Sequence, residues 1–125
     1  MKSFKSKEHL CSWMGLCPTN NESAGKKKSS RTSKANRYAK SLVCEFANSA
    51  IKSKCQFRGK YKALTIRRGH KKAVVAVGHK LMGVVYSVLK NGNHYRDPGI
   101  NYEKIMVEKN APRWMKALKR YGYIL

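Results

Sequence analysis

Between Glu22 and Asp97 the chain carries a single acidic residue, Glu45. The lysines and arginines of that interval have almost nothing to pair with, and their repulsion opposes a compact fold unless a polyanion supplies the countercharge. The imbalance is global: 28 Lys plus Arg stand against 6 Asp plus Glu in 125 residues, a net charge of +22. At this length the chain reads as one domain, 1–125, with a modest core of marginal stability. A solvated lysine surface would interleave both signs of charge, whereas nucleic acid binding releases counterions and offsets the repulsion.

Where apolar residues concentrate, their period is helical. Ser6 can cap a short helix through about Met14, with Glu8 at its positive end and Gly15 as its stop. From about Ser33, which can serve as cap, a second helix runs to about Lys54 and sets Tyr38, Leu42, Phe46 and Ala50 on one face, with Ala35, Ala39, Val43, Ala47 and Ile51 beside them. Phe57, Tyr61 and Leu64 mark a third helix ending near Gly69. A fourth spans about Lys71 to Lys90, with Val74, Val77, Leu81, Val84 and Val88 at helical spacing and Asn91-Gly92 as the stop. Gly78 and Gly83 suit a close helix crossing. After a polar link from Asn93 to Gly99, a last helix runs from about Ala111 to Tyr121, with Asn110 as its cap and Trp114, Leu118 and Tyr121 turned inward. The expected fold is all-α: about five helices and one long basic Ser/Gly/Lys loop over Leu16 to Ser33.

That loop holds the candidate chemistry. Ser23 is followed by Ala24, Gly25 and a run of cations: Lys26, Lys27, Lys28, Arg31, Lys34 and Arg37. A serine hydroxyl amid cations suits attack on a phosphodiester, because the cations hold the phosphate and stabilise the charge gathering on its oxygens. A flexible polar linker would read similarly. Arg67, Arg68, Lys71 and Lys72 form a second candidate phosphate-binding cluster. No zinc-finger spacing or aromatic interleaving accompanies either cluster, so contacts to backbone phosphate are expected rather than base readout. The six acids form no spaced motif for two-metal cleavage, and Glu22, adjacent to Ser23, is poorly placed to be its base. His79 reads as a surface or helix-packing residue. Cys11, Cys17, Cys44 and Cys55 lack zinc spacing and read as reduced thiols.

The words SWMGLCPTNNESAGK (Ser12–Lys26) and RTSKAN (Arg31–Asn36), continuing through RRGHKKAVVAVGHKLMGVVYSVLKNGNHYRD to a closing LKRYGYIL, resemble the C-terminal transposase domain of the DEDD-type insertion-sequence transposases. That family includes the bridge-RNA-guided serine recombinases. The resemblance implies that Ser23, by its place in the ESAG turn, is the nucleophile that joins covalently to DNA. It also implies an upstream RuvC-like domain with four metal-binding carboxylates, so that this chain is an N-terminally truncated piece, catalytically incomplete alone, and a divalent metal such as Mg is expected only with that domain. The implied partners are DNA, a guide RNA in the guided members, and further copies in the full-length family's oligomers. Ser30 and Ala35 stand where the family usually has glycine.

The N-terminus MKSFKSKEHL lacks the apolar core of a secretory signal, and the longest apolar stretch, Ala73 to Leu89, is interrupted by His79 and Lys80. A cytoplasmic protein with no membrane partner is expected. The competing function is a non-enzymatic basic nucleic-acid binder, ribosome- or nucleoid-associated, which explains the charge but has no need of an ESAG turn. A cationic membrane-active protein draws on charge alone.

Overall fold

The computed structural model describes residues 1–125. Ser6 Oγ accepts from the His9 amide and opens α1 (Lys7–Trp13), as its cap role predicts. The interval expected as a loop is instead a hairpin: β1 (Asn21–Ser23) pairs antiparallel with β2 (Lys26–Ser29), and a further bridge joins Pro18 to Thr32. Four helices follow: α2 (Arg37–Lys52), α3 (Gln56–Arg68), α4 (His70–Asn91) and α5 (Tyr102–Arg120). The domain is mostly helical with one small sheet.

α4 is the central element, contacted by α1, α2 and α3, while α5 rests on α3. Its apolar face is buried in two clusters. One joins Met82 and Tyr86 to Leu10, Cys11 and Leu16 of the first segment and Val43 of α2; the other joins Val74 and Val77 to Ala47 and Phe57. By length and composition α4 could also cross a membrane, which the sequence reading denied to this stretch. Here its apolar side faces the other helices.

Gly78 makes the α2–α4 crossing possible. A Cβ built there would lie 2.9 Å from Val43 Cγ1, closer than carbon atoms approach, whereas one at Gly83 would meet only the Lys7 side chain at 3.7 Å. The two glycines, read alike from sequence, therefore differ. Gly83→Ala is expected to stabilise by up to about 1 kcal/mol through helix propensity alone. Gly78→Ala is expected to destabilise by about 1–3 kcal/mol as the crossing is forced apart, less the same propensity gain. Urea unfolding of the two variants checks the opposite signs.

Three further expectations are corrected. The cap of α2 is Asn36, whose Oδ1 accepts from the Ala39 amide, so the helix starts four residues after Ser33, whose buried hydroxyl has no partner. On α2 the buried face is Val43 and Ala47, and the Tyr38–Leu42–Phe46 stripe faces outward, with Tyr38 89% exposed. The periodicity located an apolar stripe, but the small residues beside it are what let α4 approach closely. α5 begins nine residues before Ala111, capped by Asn101, and runs through Pro112; Asn110 is internal, its Nδ2 donating to the Met106 carbonyl. Docking of its first turns on α3 carries the helix past a residue that supplies no N–H. Its Trp114, Leu118 and Tyr121, expected inward, are all exposed.

The polar link before α5 is pinned to α3. Asp97 Oδ2 accepts from the Gln56 amide, Gln56 Nε2 donates to the Tyr95 hydroxyl, and the Tyr95 ring stacks on Phe57 at 6.4 Å.

Candidate nucleic-acid interface

The hairpin turns at Ala24 and Gly25, whose φ angles are +49° and +72°. Two consecutive positive φ values match the twist of antiparallel strands in a two-residue connection. Glycine takes this conformation freely, but alanine is strained in it by about 1 kcal/mol or more. Ala24 is the one non-glycine residue of the chain with positive φ, and it follows Ser23 directly. Backbone strain of this kind persists where surrounding structure holds it and concentrates at functional sites.

Register then places the candidate groups. Ser23 is opposite Lys26 and Glu22 opposite Lys27. Because successive side chains of a strand point to opposite faces, Ser23 and Lys26 share one face and Glu22 and Lys27 the other. Glu22 is thus directed away from the serine, in keeping with its reading as a poor base. The register slips between Asn21 and Glu22, which leaves Lys28 without a partner across the ladder. Side-chain bonds in the hairpin are confined to its stem, where Thr19 Oγ1 donates to the Arg31 carbonyl and Ser29 Oγ accepts from the Arg31 amide. Ser23, Lys26, Lys27, Lys28 and Arg31 are all exposed.

The hairpin stands clear of the body: its strands contact each other and no helix. Its base is held by the Ser33 amide donating to the Cys17 carbonyl and by Lys40 Nζ bonding Thr32 Oγ1. Lys34 and Arg37, both exposed, continue from this base into the first turn of α2. No acid lies in that turn, so the cations Arg37 and Lys40 sit at the positive end of the helix dipole, an arrangement that an anion would stabilise.

The second cluster is elsewhere. Gly69, at φ +78°, ends α3 and starts α4, so Arg67 and Arg68 close one helix while Lys71 and Lys72 open the next, all four exposed. Neither strand of the hairpin contacts α3 or α4, so the structure does not bring this cluster to Ser23. The first turn of α4 again lacks an acid and a side-chain cap.

No three His, Cys, Asp or Glu side chains converge into a metal ligand set. Three of the thiols are held protonated rather than activated: burial pushes Cys11 up to about 11 and raises Cys17 and Cys44. Cys11 Sγ donates to the His79 carbonyl within the core.

Sequence reasoning missed a group of cations that converge on one side of α4. Lys60, His79 and Lys80, from α3 and α4, share a cavity with Lys7, His94 and Arg96. They are spread from position 7 to position 96, so no local motif marks them. His79 is held below its ordinary value of 6.5 by burial and then by Lys60. A histidine kept neutral by the fold costs stability once the unfolded chain can take up the proton, so stability is full above pH 6.5 and falls as pH drops below it. His79→Gln is expected to flatten this part of the melting-temperature profile. A separate loss below about pH 3.8 should remain, because the Gln56 and Gly99 amides hold the Asp97 carboxyl below that ordinary value.

The geometry describes a small helical body that presents a strained basic hairpin with an exposed serine at its turn. Residues 1–62 match the family model "Transposase IS116/IS110/IS902 family", a segment that takes in α1, the whole hairpin, α2 and the first half of α3. The match supports a transposase-related function. The curated proteins and the solved structures give no match.

Proposed function

We propose that the chain is a DNA-binding transposase domain that contributes Ser23 as the nucleophile of strand transfer. One observation carries the reading: Ser23 sits at the last ladder pair of a free-standing hairpin, opposite Lys26 and beside the strained Ala24, within the segment that matches the transposase family. In the proposed step Ser23 Oγ attacks phosphorus, one P–O ester bond is exchanged for another, and the leaving DNA hydroxyl takes a proton. Lys26 on the same face neutralises a non-bridging oxygen, while Lys27, Lys28, Arg31, Lys34 and Arg37 track the flanking phosphates. Arg67, Arg68, Lys71 and Lys72 extend the contact at the α3–α4 corner.

The chain offers no base directed at Ser23, so the proposal includes activation from outside it, by the carboxylate domain of a DEDD-type transposase, in a composite site assembled on DNA. Covalent capture of cleaved DNA on the parent chain and on Ser23→Ala, with that domain supplied, tests the reading; an adduct that survives the substitution overturns it. A charge-matched comparison separates the site from bulk charge. Alanine replacement of Lys26, Lys27, Lys28 and Arg31 is expected to weaken duplex binding severalfold more than replacement of Lys104 and Lys109, two at a time, because Lys104 is already paired with Glu108 at 3.8 Å. Equal losses per charge would favour a non-enzymatic basic binder.

A further inference from the structure

The cavity beside α4 has a volume of about 590 Å³ and is lined by Lys7, Lys60, His79, Lys80, His94 and Arg96, with no carboxylate among its lining residues. A second cavity of similar size, about 600 Å³, is lined by Asp97 and Glu103 as well as by Lys54, Arg58 and Lys62, and is largely compensated. The absence of a carboxylate from the first lining is therefore a property of placement and not of the chain's charge in general. Two carboxylates act on it from outside its lining, Asp97 on Lys80 and Glu8 on Lys7 and His79. Asp97 accepts from the Gln56 and Gly99 amides, and Glu8 pairs with Lys7 at 3.8 Å along the exposed edge of α1. Lys80 Nζ also lies over an aromatic face, 4.5 Å from the centroid of the Tyr102 ring.

We propose that this cavity is a phosphate seat, taking one phosphate group between Lys60, His79 and Lys80, with Lys7, His94 and Arg96 completing the set of donors. Three ammonium groups, a guanidinium and two imidazoles around one concave space offer directed N–H donors and positive charge with the intervening water partly excluded. Burial and mutual repulsion outweigh the two outlying carboxylates at Lys60, His79 and Lys80. Burial and then Lys80 lower Lys60, burial lowers Lys80, and burial followed by Lys60 lowers His79. A phosphate in their midst removes that mutual repulsion. The volume exceeds what a bare anion needs and leaves room for the sugar of a nucleotide. Two sources share this chemistry, a backbone phosphodiester of bound DNA and a free phosphate or mononucleotide. The inference rests on the proposed DNA-binding function only for the first of them.

The test uses the full chain and inorganic phosphate as the probe, against sodium chloride at equal ionic strength. Phosphate at ten times its Kd is expected to raise the melting temperature of the parent by about 5 °C beyond chloride. Phosphate also stabilises proteins by exclusion from their surfaces, and that part appears in parent and variant alike. The Lys60→Gln/Lys80→Gln double variant is expected to melt at or above the parent without phosphate, since repulsion is relieved, and to lose the specific shift. Arg96→Gln, in the exposed link, should lose part of it and serves as the second variant. In the DNA arm, the salt slope of duplex binding should fall by about 0.9 in the double variant if the seat takes a backbone phosphate. An unchanged slope with the phosphate shift lost assigns the seat to a free phosphate. Equal phosphate shifts in parent and both variants overturn the proposal. Loss of binding on replacing the hairpin lysines, tested separately, bears on the hairpin reading and leaves this outcome unaffected.

Discussion

Ser23→Ala abolishes covalent capture of DNA, while Ser29→Ala, Ser30→Ala and Ser33→Ala retain it: this is the expected result when the chain is joined to the carboxylate domain of a full-length relative. The expectation follows from placement. Ser23 is exposed at the hairpin's closing pair opposite Lys26, whereas Ser29 accepts a backbone hydrogen bond in the stem and the Ser33 hydroxyl is buried without a partner. Ser29→Ala should loosen the stem by about 1 kcal/mol through that lost bond, and Ser33→Ala should cost little, since no hydrogen bond is removed. The isolated chain is expected to give no adduct, because Glu22 projects from the opposite face of β1 and no other acid is tied to the hairpin. Denaturing gels of labelled duplex after proteolysis-sensitive capture read the result. An adduct on another serine, or strand transfer by the isolated chain, would contradict the assignment.

Duplex affinity is expected to fall about 10⁴-fold between 50 and 200 mM salt, following from about eight neutralised phosphates at ~0.9 each, a slope near −7 in log K against log salt. The structure bears on the size of this effect because the candidate cations lack internal competition. The chain's ion pairs are Lys7–Glu8 and Lys104–Glu108, neither of which includes a residue of the hairpin or of the α3–α4 corner. Fluorescence anisotropy with a labelled duplex across a salt series gives the slope. A flat response would require mainly apolar contacts, for which the hairpin strands have no side chains.

The helices were legible to the extent that each carries its own local signals. Ser6 as the α1 cap and the stop of α4 at Asn91-Gly92 are interactions within a few residues, and the α4 boundaries fall within a residue of their expected places. The hairpin was not legible. Both of its strands are polar and almost wholly exposed, so no alternation of apolar residues marks them, and its turn uses Ala-Gly, with an alanine in a conformation that sequence preference argues against. α5 was misplaced for a related reason. Pro112 after Asn110 is a strong local start signal, and the tertiary docking of α5 on α3, where Tyr102 lies against Gly59, overrides it.

The family match over residues 1–62 and the charge that demands a polyanion are both properties of the chain as a string, since a motif order and a sum of charges survive any folding. Which side of a residue faces what is different in kind. The period of α2 placed Tyr38, Leu42 and Phe46 on a common stripe, but only the approach of Gly78 to within contact of Val43 decided that this stripe faces solvent. Ser23 was singled out by its neighbours in sequence, yet its separation from Glu22 and its pairing with Lys26 depend on strand register, which a shift of one residue would invert. The gathering of Lys7, Lys60, His79, Lys80, His94 and Arg96 depends on how α1, α3 and the link before α5 pack around α4. Long-range proximity of like charges has no local signature, because it is set by the burial of apolar side chains elsewhere and is tolerated by the cations themselves.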